Sequence, residues 1–146
     1  MTPLEAAPQT SKSQTISRIL LGLMLITAGV SHLTFARQPF QAQVPPWVPL
    51  NPDLVVLLSG GVEILLGLSL VTLFRYKAYV GLVAALFFIA IFPGNISQYT
   101  NHRPAFELET DTARLTRLFF QPVLVAWALW STGAWTSLRR SWSESD

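Results

Sequence analysis

The run LVVLLSGGVEILLGLSLVTLF, residues 54–74, decides the fold. Its 21 residues hold a single ionisable group, Glu63. At 1.5 Å per residue, a helix of this length reaches about 31 Å, the thickness of a bilayer's hydrocarbon. A charged acid at its centre costs about 2.5–3.5 kcal/mol unless it is neutral or partnered, so Glu63 marks a place to look for function.

Three further apolar runs, 17–35, 78–96 and 115–136, share this character. Together the four predict an all-α polytopic membrane four-helix bundle with a short inner loop and a proline-rich outer loop. Residues 1–16 read as a disordered cytoplasmic tail, 17–136 as the four-span domain and 137–146 as a second cytoplasmic tail. The chain is 51% hydrophobic and 12% charged, about half the charged fraction of a soluble domain. A soluble bundle needs a charged face on each helix, and runs such as 21–30 and 80–92 are apolar all the way round. The first run is expected to stay in place as a helix rather than serve as a signal peptide, since a polar segment precedes it and no clean small-x-small cleavage site follows.

Topology follows from the basic residues beside the spans. With both termini cytoplasmic, the inner side carries Lys12, Arg18, Arg75, Lys77, Arg139 and Arg140, against Arg37, Arg103, Arg114 and Arg117 outside. The expected location is a bacterial-type plasma membrane, with the lipid bilayer as the first partner. The net charge of +2 forms no basic patch, which gives nucleic-acid binding no support. With no cysteine, the chain has no disulfide, thiolate metal site or iron–sulfur cluster. His32 in a span and His102 in a polar loop do not make an axial haem pair, and no metal site is expected.

Arg75, Tyr76 and Lys77 are all that separates the second and third runs, so those helices must be antiparallel neighbours. The loop 36–53 instead carries Pro39, Pro45, Pro46, Pro49 and Pro52, and residues 44–49 should form a stiff extended strap. Its Trp47 is either an interfacial anchor or a gate over the outer mouth of the bundle. The sequence Asn95-Ile96-Ser97 matches a glycosylation site formally, but at a membrane boundary.

Spacing then shows which faces turn inward. Ser59, Gly60, Glu63 and Gly67 share one stripe of the second helix, and Gly22, Leu25, Gly29 and His32 share one of the first. Small residues let helices approach closely in lipid, so these stripes should face the bundle. On the fourth run Arg114, Arg117 and Gln121 follow at helical spacing, with Pro122 predicted to kink the helix. On the third, Pro93 and Gly94 precede Asn95. These groups predict a pocket open to the outer face, lined by His32, Glu63, Asn95, Arg117 and Gln121. The alternatives are structural: a neutral Glu63 bonded across helices, a His32 meeting interfacial water, an Arg117 reaching for headgroups.

The segments Arg18-Ile19-Leu20-Leu21-Gly22-Leu23 with Ala28-Gly29 and His32, Val44-Pro45-Pro46-Trp47-Val48-Pro49, Ser59-Gly60-Gly61-Val62-Glu63 with Leu66-Gly67-Leu68, Phe92-Pro93-Gly94-Asn95-Ile96, and Arg117 with Gln121 resemble the DoxX-like family. The resemblance covers about residues 17–135. It implies a small four-helix membrane protein, for most relatives of which no activity is assigned. Some relatives are a membrane subunit of thiosulfate oxidation with quinone as acceptor, or proposed members of membrane redox complexes.

Three functions follow as expectations. The first is an auxiliary or small-molecule-binding membrane component, not a self-sufficient enzyme, acting with a membrane or redox protein partner or as a homo-oligomer. The second is a quinone-linked redox subunit of an oxidoreductase complex, with quinone as its cofactor and with Glu63 and His32 exchanging protons. The third is a small proton-coupled transporter in which Glu63 titrates.

Overall fold

The computed structural model describes the backbone of residues 5–34, 47–100 and 111–145, and their side chains outside 94–100, 111–118 and 144–145. Among the described residues the regular structure is all helical. There, five α-helices run in chain order, α1 (Lys12–Leu33), α2 (Pro52–Thr72), α3 (Lys77–Thr100), α4 (Asp111–Ser131) and α5 (Ala134–Ser145), with a 3-10 turn at Phe74–Tyr76. Among the described residues, α1, α2 and the apolar part of α3 are long and apolar enough to cross a membrane, and α4 contributes the shorter apolar stretch Phe119–Ser131.

Local chemistry sets the helix starts. Ser11 caps α1 in a reciprocal box, its hydroxyl accepting from the Gln14 N–H at 3.2 Å while Gln14 Oε1 accepts from the Ser11 N–H at 2.8 Å. Asn51 caps α2 by accepting from the Asp53 N–H at 2.9 Å, and Pro52 occupies the first turn, where its missing N–H costs nothing. The α2–α3 connection is the tight turn expected, with α3 starting directly after the 3-10 turn.

The helices pair as antiparallel neighbours. Gly22 of α1 lies against Gly67 of α2, and Gly29 against Gly60, so close that a Cβ on Gly67 would sit 2.5 Å from the Gly22 carbonyl oxygen. On the other side α3 packs on α4, where a Cβ on Gly81 would overlap the Thr132 hydroxyl. The Trp127 indole of α4 donates to the Ser17 hydroxyl of α1 at 2.6 Å and closes the ring of helices. Leu21, Leu25, Leu66, Leu70, Ala84, Phe88, Leu124 and Ala128 fill the centre. The outward surface is also apolar: Leu65 is 66% exposed beside Leu66 at 7%. That surface is what a helix needs toward lipid rather than water.

Three sequence expectations change. The fourth helix does not run to residue 136: it stops at Ser131, because Gly133 takes a left-handed φ of 76° and the Thr132 hydroxyl caps the next helix by accepting from Ala134 N–H. The tail 137–146 is not unstructured, since α5 runs to Ser145 and buries Ala134, Ser137 and Ser141. Nor is all of 1–16 a loose tail. Pro8 is buried against Gly133, Ala6 O accepts from the Ala78 N–H at 2.9 Å, and Glu5 O accepts from the Ser137 hydroxyl at 2.8 Å. Residues 5–11 thus lie across the end of the bundle where α5 sits, here termed the inner end.

Candidate functional site

The glycine faces build the site. Because α1 and α2 approach backbone to backbone, the polar residue on each stripe is pressed toward the other helix. Gly60 leaves room for His32, whose Cβ would lie 2.8 Å from a Cβ at position 60. Glu63 is one turn further along the same face of α2. The result is a buried pair, with His32 Nε2 3.6 Å from Glu63 Oε2 and residue exposures of 6% each. The Val56 backbone also lies beside the imidazole.

Such a pair has a defined chemistry. A carboxylic acid beside a neutral imidazole and a carboxylate beside an imidazolium have the same net charge of zero and the same number of protons. Low dielectric therefore penalises gaining or losing a proton far more than moving one within the pair. An acid and a base held this way can receive a proton from a ligand on one atom and return it from the other.

Gln121 is placed differently. It is 1% exposed on α4, and its amide donates to the Phe88 carbonyl of α3 at 2.6 Å. It also forms the wall of an open, largely apolar recess of about 260 Å³ with Ile89, Phe92, Pro122 and Val125. Neither His32 nor Glu63 lines this recess. Both helices beside it carry an internal proline, Pro93 and Pro122, yet continue through it. A proline removes the N–H that the carbonyl four residues earlier would use, so the Ile89 carbonyl loses its helical donor at the recess wall. Room for an apolar group beside the proline-interrupted helix is the chemical content of this region.

The side chains of Asn95 and Arg117 lie outside the described residues, as does the strap up to Pro46. Trp47, at its edge, is 73% exposed. Among the described residues no three His, Asp or Glu side chains group as metal ligands.

With this geometry in hand, comparison with known families gives one match, over residues 21–132, to a family described as a domain of unknown function, DUF8561. The chain belongs to the DUF8561 family. No curated protein and no solved structure matches it. The DUF8561 region holds His32, Glu63, Gln121 and all four close-contact glycines of α1 and α2, and it stops short of α5.

One residue escaped the sequence reading. Arg18 is 5% exposed and donates to the Leu70 carbonyl, one of the last carbonyls of α2, which no helical N–H reaches. A cation there also suits the negative end of the helix. The signal was present: Arg18 continues the stripe Gly22, Leu25, Gly29 and His32 one turn back.

Proposed function

We propose that this chain is an integral membrane protein with four helices in the bilayer and both termini cytoplasmic, acting as an auxiliary, small-molecule-binding component. The buried His32–Glu63 pair at 3.6 Å carries this reading. A structural role alone would be met by any apolar pair of matching shape at no desolvation cost, whereas an acid and a base together at membrane depth suit proton exchange with a bound molecule. The exposed leucines of α1, α2 and α3 support the bilayer setting.

A second reading, a quinone-linked redox subunit, draws on the recess. Ile89, Phe92, Pro122 and Val125 offer apolar walls for a flat ring, with the buried Gln121 behind them. Quinone, when bound, supplies two-electron redox chemistry coupled to protons. The chain's own part would be to hold the ring in the recess, which neither His32 nor Glu63 lines. The DoxX-like resemblance motivates this role and is itself part of the proposal.

Native mass spectrometry of the purified wild type and of Glu63→Gln, with solvent extraction of bound small molecules, tests both. The first reading expects a stoichiometric molecule in wild type that is depleted in the variant, whereas a quinone retained in the variant, because Glu63 does not line the recess, would select the second form. A wild type without any bound small molecule, and with no quinone binding when it is added, overturns both.

A further inference from the structure

The inner end of the bundle carries a second polar arrangement, independent of the His32–Glu63 site. Arg18 is buried, yet the Leu70 carbonyl is the one acceptor it reaches among the described residues, and its Nε–H is buried without a partner. A guanidinium has five N–H donors in a planar fork, so most of its capacity is unused. Lys77, half-buried at the start of α3, donates to the Thr10 hydroxyl at 2.7 Å. The two cations are close enough to repel each other. Neither meets a carboxylate among the described residues, and Glu5, an acid at this end, is 3.4 Å from Arg140 at the surface. The Ser131 hydroxyl, at the same end of the bundle, is likewise buried with no partner among the described residues.

Two like charges, one of them almost wholly withdrawn from solvent, are costly without a counter-charge. Among the described residues the chain supplies none there. We propose that the inner end of the bundle binds an anion of the phosphate class, with Arg18 as the floor of the site and Lys77 with Thr10 as its rim. The guanidinium fork matches two phosphate oxygens, and the ammonium adds a point charge at the entrance. A phosphodiester of an anionic lipid and free inorganic phosphate share this chemistry. The lipid is the natural source if the helices span a bilayer as proposed above, and the phosphate arm of the test is independent of that.

The test uses the full chain in an uncharged maltoside detergent. Binding is read by native mass spectrometry and by the shift in Tm on adding phosphatidylglycerol, phosphatidylcholine or inorganic phosphate, for wild type, Lys77→Gln and Arg75→Gln. Arg75 is an exposed cation at the same end and serves as the control. The site predicts a raised Tm with phosphatidylglycerol, little effect of phosphatidylcholine, and binding weakened about tenfold in Lys77→Gln but not in Arg75→Gln. A phosphate effect equal to that of phosphatidylglycerol assigns the site to a free anion. Lys77→Gln is chosen because Arg18→Gln also removes the tie to Leu70 and can fail to fold. The proposal falls if neither phosphatidylglycerol nor phosphate shifts Tm, or if Lys77→Gln and Arg75→Gln weaken binding equally.

Discussion

The two helix pairs are built on opposite plans. Between α1 and α2 the backbones meet directly, through Gly22, Gly29, Gly60 and Gly67, and the polar groups of the interface are side chains facing each other. Between α3 and α4 the spacing is filled mainly by side chains such as Phe88 and Leu124, a side-chain amide bonds to a backbone carbonyl, and a recess lies beside Pro122. In lipid, where apolar surface gains little by leaving the solvent, packing contact is what holds helices together. The difference therefore teaches where rigidity and adaptability lie: the first pair fixes an acid–base couple, and the second leaves room for a guest.

The most severe break in this contrast is steric. Gly67→Val places atoms within 2.5–2.9 Å of the Gly22 carbonyl and of Ile26, with backbone on both sides and no flexible chain end to yield. Overpacking of this kind costs about 3 kcal/mol or somewhat more, so thermal unfolding in detergent, followed by tryptophan fluorescence, should shift strongly downward. A loss no greater than that of a substitution on the outward face would sink the glycine-contact account.

Next in size is the buried pair. His32→Leu leaves Glu63 without its ring and should cost about 2 kcal/mol, whereas His32→Leu with Glu63→Leu should recover a good part of that loss, because the desolvation penalty leaves with the second charge. The measurement is a double-mutant cycle in Tm and unfolding free energy. Additive losses would show that the two side chains do not act as a couple.

The sequence carried more of the first pair than of the second. Spacing of three and four residues placed Gly22, Gly29 and His32 on one stripe and Gly60, Glu63 and Gly67 on another, and because small residues mark close approach the two stripes could be matched. The Gln121 stripe carries no glycine and, of small residues, Ala128 seven positions on. Periodicity shows which face a residue is on but not which backbone group it will meet, so the bond to Phe88 was not legible. Arg18 was counted as a topology signal because it sits near a helix start, although it shares the glycine stripe. The end of the chain was misjudged for a related reason: Trp135, Leu138 and Trp142 recur at helical spacing, but serines and arginines between them read as a tail. Asn95 and Arg117 were named from the sequence, and their side chains lie outside the described residues.

A smaller effect is expected at Gln121. Gln121→Leu removes the amide donor to Phe88, whose carbonyl still has its own helical N–H from Phe92, and the cost should be about 1 kcal/mol in thermal unfolding. A loss as large as that of Gly67→Val would mean that α3 and α4 depend on this polar tie rather than on side-chain packing, and the recess would then be rigid rather than adaptable.

The least perturbing change sharpens the contrast most. Gly61 adjoins Gly60 in the same helix, but a Cβ there meets no atom within 4 Å. Gly61→Ala should therefore gain helix propensity without a clash, a change of about 0 to +1 kcal/mol in stability, while Gly60→Ala must push against the Gly29 carbonyl and the His32 Cβ. Neighbouring glycines of identical intrinsic cost would then differ in the sign of their effect. Only the direction each faces separates them, and the same two variants, compared for ligand retention, would show whether displacing His32 alone is enough to disturb the site. Equal Tm shifts for the two would mean that the close approach of α1 and α2 does not govern stability.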